Sequence, residues 1–135
     1  MLKLIIGVKG TGKTKTLIGL VNEAVENSHG AVICIEKGDK LRFDVKYQAR
    51  LIDTDEYFVD DAQSLYGFVA GILASNHDVT DLFIDSALKI CQNDCEAFDK
   101  FLNEMNALVE KLNINVVMTS SLPAESASET VKKFL

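Results

Sequence analysis

The stretch that decides the fold is GVKGTGKT, residues 7–14, set directly after the apolar run LKLII at 2–6. It fits G-x-x-x-x-G-K-[ST], the P-loop pattern. Each residue type has a physical reason. Gly7, Gly10 and Gly12 permit backbone conformations and close approach that a Cβ would block, so successive N–H groups can bend around an anion. The loop feeds a helical pattern whose free N–H groups and dipole favour negative charge. Lys13 is placed to meet the β- and γ-phosphates of a nucleoside triphosphate, and the Thr14 hydroxyl to meet Mg²⁺. Val8, Lys9, Thr11 and Lys15 complete the cradle. At average residue frequencies a chain of this length matches the pattern by chance on the order of once in a few hundred, and here it also falls between a strand and a helix. A signature lysine five positions before the loop lysine would mark the deviant P-loop. Here Lys9 is four before Lys13, so that variant is not supported.

Outward from the loop, strand and helix signals alternate. Leu17, Leu20, Val21, Ala24 and Val25 share one face of a helix from Thr14 to about Asn27. AVICIE (31–36) is a buried-strand run, ARLID (49–53) a shorter one, DLFID (81–85) another and INVVMT (114–119) the last. Between them, Leu41, Phe43, Val45 and Tyr47 alternate with Arg42, Asp44 and Lys46. This predicts an additional antiparallel strand near 40–47, folding back around Lys37-Gly38-Asp39. Asp60 with Gln63, Asn93 with Glu96, and Ser126 with Glu129 are the expected helix caps. The pattern predicts an α/β three-layer sandwich: a mainly parallel sheet of about five strands covered on both faces. The expected domain organisation is a single nucleotide-binding unit over 1–135.

Bulk properties bound the function. The 135 residues are 47% apolar and 25% charged, with a net charge of −6. Bulk nucleic-acid binding needs a basic surface and is not expected. The longest apolar run, 65–74, is about half a membrane span, and MLKLIIG lacks the features of a signal peptide. The three cysteines suit a reducing compartment; Cys34 reads as a small core hydrophobe, and the Cys91/Cys95 spacing is not that of a zinc pair. A cytoplasmic protein is expected.

Two acids and a threonine join the loop. Asp85 ends an apolar strand on the side where open α/β sheets bind ligands, the position from which a Walker B aspartate orients Mg²⁺. The plain alternative is a surface strand-end acid or helix cap. Glu36 also ends a strand and would polarise the water that attacks a γ-phosphate; otherwise it is an exposed Glu paired with Lys37. Thr119, ending the last strand, would sense the γ-phosphate by hydrogen bond. Only two arginines exist, Arg42 and Arg50. A finger arginine is one of these or comes from another protein, and Arg42 reads as part of a solvated face.

The succession of GVKGTGKT, a strand ending in Glu36, LFIDS with Asp85, and VVMTS resembles the core of RecA-like P-loop ATPases over roughly residues 1–120. The resemblance implies a catalytic glutamate at Glu36, a Walker B aspartate at Asp85, and a polar sensor strand lying between the P-loop strand and the Walker B strand. The chain also resembles small stand-alone bacterial ATP-binding proteins, some labelled twitching-motility ATPases. ATP and Mg²⁺ are therefore the expected cofactors. The expected activity is weak ATP hydrolysis, with the chain acting with itself or with a partner protein. The alternatives are a nucleotide-gated interaction module and a small-molecule or nucleotide kinase. A kinase would be expected to clamp phosphates with several arginines. No N-K-x-D motif is present to read guanine.

Overall fold

In a computed structural model that describes residues 1–135, β1 (Leu2–Gly7), β2 (Ala31–Glu36), β3 (Arg50–Asp53), β4 (Val79–Ile84) and β5 (Asn115–Ser121) form one sheet. The order is β1-β5-β4-β2-β3, and all four neighbouring pairs are parallel. The main helices are α1 (Lys13–Asn27), α2 (Ala62–Ser75) and α4 (Cys95–Leu112); α3 (Ala87–Ile90) and α5 (Glu129–Lys132) are single turns. The strand after α4 inserts between the P-loop strand and β4, where the family resemblance puts a sensor strand.

Strand alternation divides the core into two unequal layers. Ile33, Ile35, Leu82, Ile84, Val116 and Met118 face the larger one, with Leu65 and Val69 of α2 and Phe101, Leu102 and Met105 of α4. Val32, Cys34, Phe83 and Val117 face the smaller one, with Leu17 and Val21 of α1. Because successive side chains point to opposite faces, strands buried on both sides read as continuous apolar runs, as they do here. No helix is long and apolar enough to cross a membrane.

The strand expected near 40–47 does not form. Residues 37–49 are a succession of turns, with Asp44 N and Val45 N both donating to the Leu41 carbonyl (3.0 Å each) and Ala49 N to that of Lys46 (3.0 Å). Leu41, Val45 and Ala49 are the buried members, spaced by four, while Phe43 and Tyr47 are 86% and 91% exposed. The physical reason is that α1 alone leaves part of its sheet face open. Leu41, Val45 and Ala49 close it by packing with Leu17, Cys34 and Phe83.

Caps shift by small steps from their expected positions. The α2 cap is Asp61 with Ser64, a reciprocal capping box; Asp94 caps α4 and Ser128 caps α5. In each case the capping residue has extended backbone, which lets its side chain reach back to the first free N–H groups.

Cys34 and Cys91 are buried and Cys95 exposed. Burial pushes both the Cys34 and Cys91 thiols up to about 12, since a thiolate there would be poorly solvated. A thiol-titrating disulfide reagent at neutral pH should therefore react rapidly with one thiol per folded chain, and Cys95→Ser should remove that phase. Fast reaction of two or three thiols would contradict this packing.

Candidate nucleotide site

The P-loop connects β1 to α1 through a backbone that its glycines make possible. Gly12 has φ 83°, ψ 16° and stands at the α1 N-cap, a left-handed conformation costly for residues with a Cβ. A Cβ at Gly7 would lie 2.7 Å from Thr11 Oγ1. The Val8 carbonyl accepts from Thr11 Oγ1 (2.7 Å) and from Lys13 Nζ (2.9 Å), which folds the loop onto itself.

No side chain caps α1, and its first turn contains no acid. It carries Lys13 and Lys15 instead, two cations at the positive end of the helix dipole. Such placement is unfavourable by a few tenths of a kcal/mol to about 1 kcal/mol per charge unless an anion sits there.

Sheet register brings Asp85 and Thr119 to this loop, while Glu36, on the same rung, lines a separate cavity with Gly38, Arg42 and Arg50. Ile35 pairs with Ile84, and Ile84 with Met118. The next residues, Glu36, Asp85 and Thr119, thus share one rung at the carboxyl ends of adjacent strands. Alternation turns that rung towards the α1 face, on the side of the P-loop. The ladder continues through Asp85 N, which donates to the Ile35 carbonyl (2.8 Å).

Asp85 is 9% exposed and Thr119 1%. The Asp85 carboxylate accepts from Thr119 Oγ1 (2.7 Å) and from Thr14 Oγ1, 3.1 Å from Oδ1 and 3.2 Å from Oδ2. Thr119 Oγ1 in turn accepts from Ser86 N (2.8 Å). Ser86 has φ 58°, a strained value for a residue with a side chain. Thr119 therefore orients the aspartate and steadies the bend after it.

Glu36 is 3% exposed, and both its oxygens are engaged. Oε1 accepts from Lys40 N (3.0 Å) and Oε2 from Leu41 N (3.2 Å). Burial raises its pKa above the ordinary carboxylate value. The two amides oppose that rise, and the charges of Asp53 and Asp85 add to it. Lys37 pairs not with Glu36 but with Asp55 (2.7 Å).

A cleft of about 490 Å³ opens over the P-loop, lined by Lys9, Lys13, Thr14, Lys15, Asp85 and Thr119 among others. Lys40, Lys89, Asn93 and Ser121 also reach it, none of which sequence reasoning placed there. The five lysines Lys9, Lys13, Lys15, Lys40 and Lys89 face one carboxylate, Asp85, and none of the five takes part in an ion pair. Arg42 and Arg50 lie away from this cleft, along the β2–β3 side. Arg42 is exposed, pairs with Asp39 (3.4 Å) and covers the Phe43 ring at 4.8 Å.

The chain matches no family model and no curated protein. Among solved structures it resembles a KaiC-like protein from the hyperthermophilic archaeon Pyrococcus horikoshii OT3, with a TM-score of 0.71 at 15% identity. The match covers 98% of this chain and 66% of that one. At that identity the likeness concerns the fold alone, an α/β domain with a five-stranded parallel sheet.

Thr119→Val keeps the shape of the side chain but removes a donor to Asp85 and an acceptor for Ser86 N. It should destabilise the protein by about 1–3 kcal/mol, the cost of leaving buried polar groups unmatched. Urea unfolding checks this; an unchanged midpoint would show that the network does not hold the strand end.

Proposed function

We propose that the protein binds Mg·ATP in the P-loop cleft and hydrolyses it slowly, as one nucleotide-binding domain over 1–135. The single observation that carries this reading is the direct contact of Thr14 with Asp85 in the lining of a lysine-rich cleft. A hydroxyl and a carboxylate converging from a P-loop helix and an adjacent strand are hard oxygen donors, the set that suits Mg²⁺. Thr14 would ligate the ion and Asp85 would orient its water shell. When bound, Mg²⁺ neutralises charge on the phosphate oxygens.

The chain's own groups supply the rest. The backbone from Gly7 to Thr14, with Lys9, Thr11 and Lys15, cradles the phosphates. Lys13 adds a point charge against the outer ones. Thr119 holds Asp85 in register and lies within the cleft as the polar group of the sensor strand. Glu36, on the same rung as Asp85, is the group proposed to polarise the attacking water.

Neither arginine lines the cleft, which gives the kinase reading no support. Action with a second copy or a protein partner is part of the proposal, and an arginine contact to the nucleotide would come from there. Unpaired cysteines support a reducing, cytoplasmic setting. The likeness to small proteins labelled twitching-motility ATPases rests on the nucleotide motifs and adds no process.

A second reading, a nucleotide-gated interaction module, is favoured by one observation. Both Glu36 oxygens accept from loop amides, and its side chain lines the β2–β3 cavity with Arg42 and Arg50 and not the P-loop cleft.

At a hundredfold excess over its Kd, Mg·ATP should stabilise the wild type by about 2.7 kcal/mol. Lys13→Ala should remove that gain in thermal unfolding; an equal gain in the variant would refute the site. Phosphate release should be slow, rise in specific activity with protein concentration, and vanish in Glu36→Gln. Equal turnover by wild type and Glu36→Gln would favour the module.

A further inference from the structure

The β2–β3 connection, residues 37–49, carries three lysines with different fates. Lys37 pairs with Asp55 (2.7 Å), and Lys46 pairs with Glu26 across to α1. Lys40 has no carboxylate partner, and its side chain lines the same cleft as Lys13, Thr14 and Asp85.

The backbone of Lys40 is not free to wander. Its N–H donates to Glu36 Oε1, and that of Leu41 to Oε2. The Leu41 side chain is 4% exposed and packs in the layer containing Leu17 and Val45. On the near side of the loop, Gly38 N donates to Asp53 Oδ1 (2.7 Å). A flexible ammonium thus stands on a stem whose root is tied to two strand ends and to the core.

The root is also tied to the strand end next to that of Asp85. Thr14 and Asp85 mark the end that suits the metal, where the outer phosphates of a nucleoside triphosphate lie. Lys40 and Leu41 both line this cleft, and their amides are held at the end of β2, the strand that pairs with β4 and so lies beside Asp85.

We propose that Lys40 is a phosphate-contacting residue in cis: its ammonium binds the terminal phosphate of the nucleotide, and Glu36 acts as its positioning residue by holding the amides of Lys40 and Leu41. The proposal rests on the reading of this cleft as a Mg·ATP site. It gives the buried Glu36 carboxylate a role in nucleotide binding, and it assigns a cation on this chain to a cleft that neither of its arginines reaches. Lysine serves here as a point charge, without the bidentate geometry of a guanidinium.

Calorimetric titration of Mg·ATP and Mg·ADP tests this on the wild type, Lys40→Ala, Lys40→Arg, Lys46→Ala and Lys13→Ala. A contact to a charged group predicts that Lys40→Ala weakens ATP binding about tenfold and ADP binding less than about twofold. Lys40→Arg should restore most of the difference, and Lys46→Ala should change neither affinity. The ATP affinity of Lys40→Ala should also fall less steeply with salt. In Glu36→Gln, which offers one acceptor to two amides, hydrogen exchange at Lys40 and Leu41 should quicken and the preference for ATP over ADP should shrink.

Equal effects of Lys40→Ala on ATP and ADP, or none, would overturn the assignment while Lys13→Ala still abolished binding. A wild type that binds no nucleotide, or a Lys13→Ala that binds as well as the wild type, would remove the site itself and Lys40's role with it.

Discussion

A buried carboxylate has to be met by donors, and Asp85 is where this fold meets that demand. Its donors come from β5 and from the first turn of α1, so three separate segments converge at one strand end. An unmatched carboxylate in that place would carry a desolvation penalty comparable to a large share of a domain's net stability. The position of the P-loop follows. For Thr14 to reach Asp85, α1 has to start beside the carboxyl ends of β4 and β5, and the turn from β1 has to be tight. Glycines at 7, 10 and 12 allow that path, and strand alternation turns Asp85, Thr119 and Glu36 towards it.

The unequal layers of the core explain the remaining architecture. The face packed by α2 and α4 has two long helices, whereas the face with Phe83 and Val117 has only α1. The β2–β3 connection supplies the missing cover with Leu41, Val45 and Ala49. Its fold depends on Glu36, whose carboxylate gathers two amides at the turn and whose burial the same turn completes. Glu36 is therefore subject to two demands. As a loop anchor it gives up both oxygens to N–H groups. As a group acting on water it would use a remaining lone pair, and a raised pKa makes it a stronger base once ionised. The turn at Lys40 and Leu41 fixes where the remaining lone pairs point, so loop structure and chemistry are coupled through one side chain.

Much of this was legible in the residues. The P-loop declares itself because phosphate binding needs backbone, and backbone access needs glycine. The strands are legible because burial on both faces leaves continuous apolar runs, and Asp85 and Thr119 stand out as polar residues ending such runs. The 40–47 segment departs from the expected strand for a definite reason: Leu41, Phe43, Val45 and Tyr47 fit a period of two, and Leu41, Val45 and Ala49 fit a spacing of four. A window that short cannot separate them. The choice is made by Glu36 and by an uncovered patch of sheet, both set by contacts outside the window. The caps slipped because Asp60-Asp61 and Asn93-Asp94 each offer adjacent candidates, and the path of the chain into the helix selects one. Lys40 and Lys89 reach the cleft only through strand order, which single-sequence periodicity does not contain.

Charge distribution bears on what such a cleft can hold. The chain is acidic overall, at −6, yet its P-loop cleft sets five lysines against one carboxylate. At physiological salt, charges separated by more than about 8–10 Å are largely screened. A compact polyphosphate inside the cleft is therefore governed by the nearby lysines, and hardly at all by acids on distant faces. The lysines are concentrated where the α1 dipole and the P-loop amides already point, so they set the local field of the cleft despite the acidic net charge. Keeping those five cations free of ion pairs sustains the contrast, since a carboxylate bound to each would cancel the local field the cleft requires.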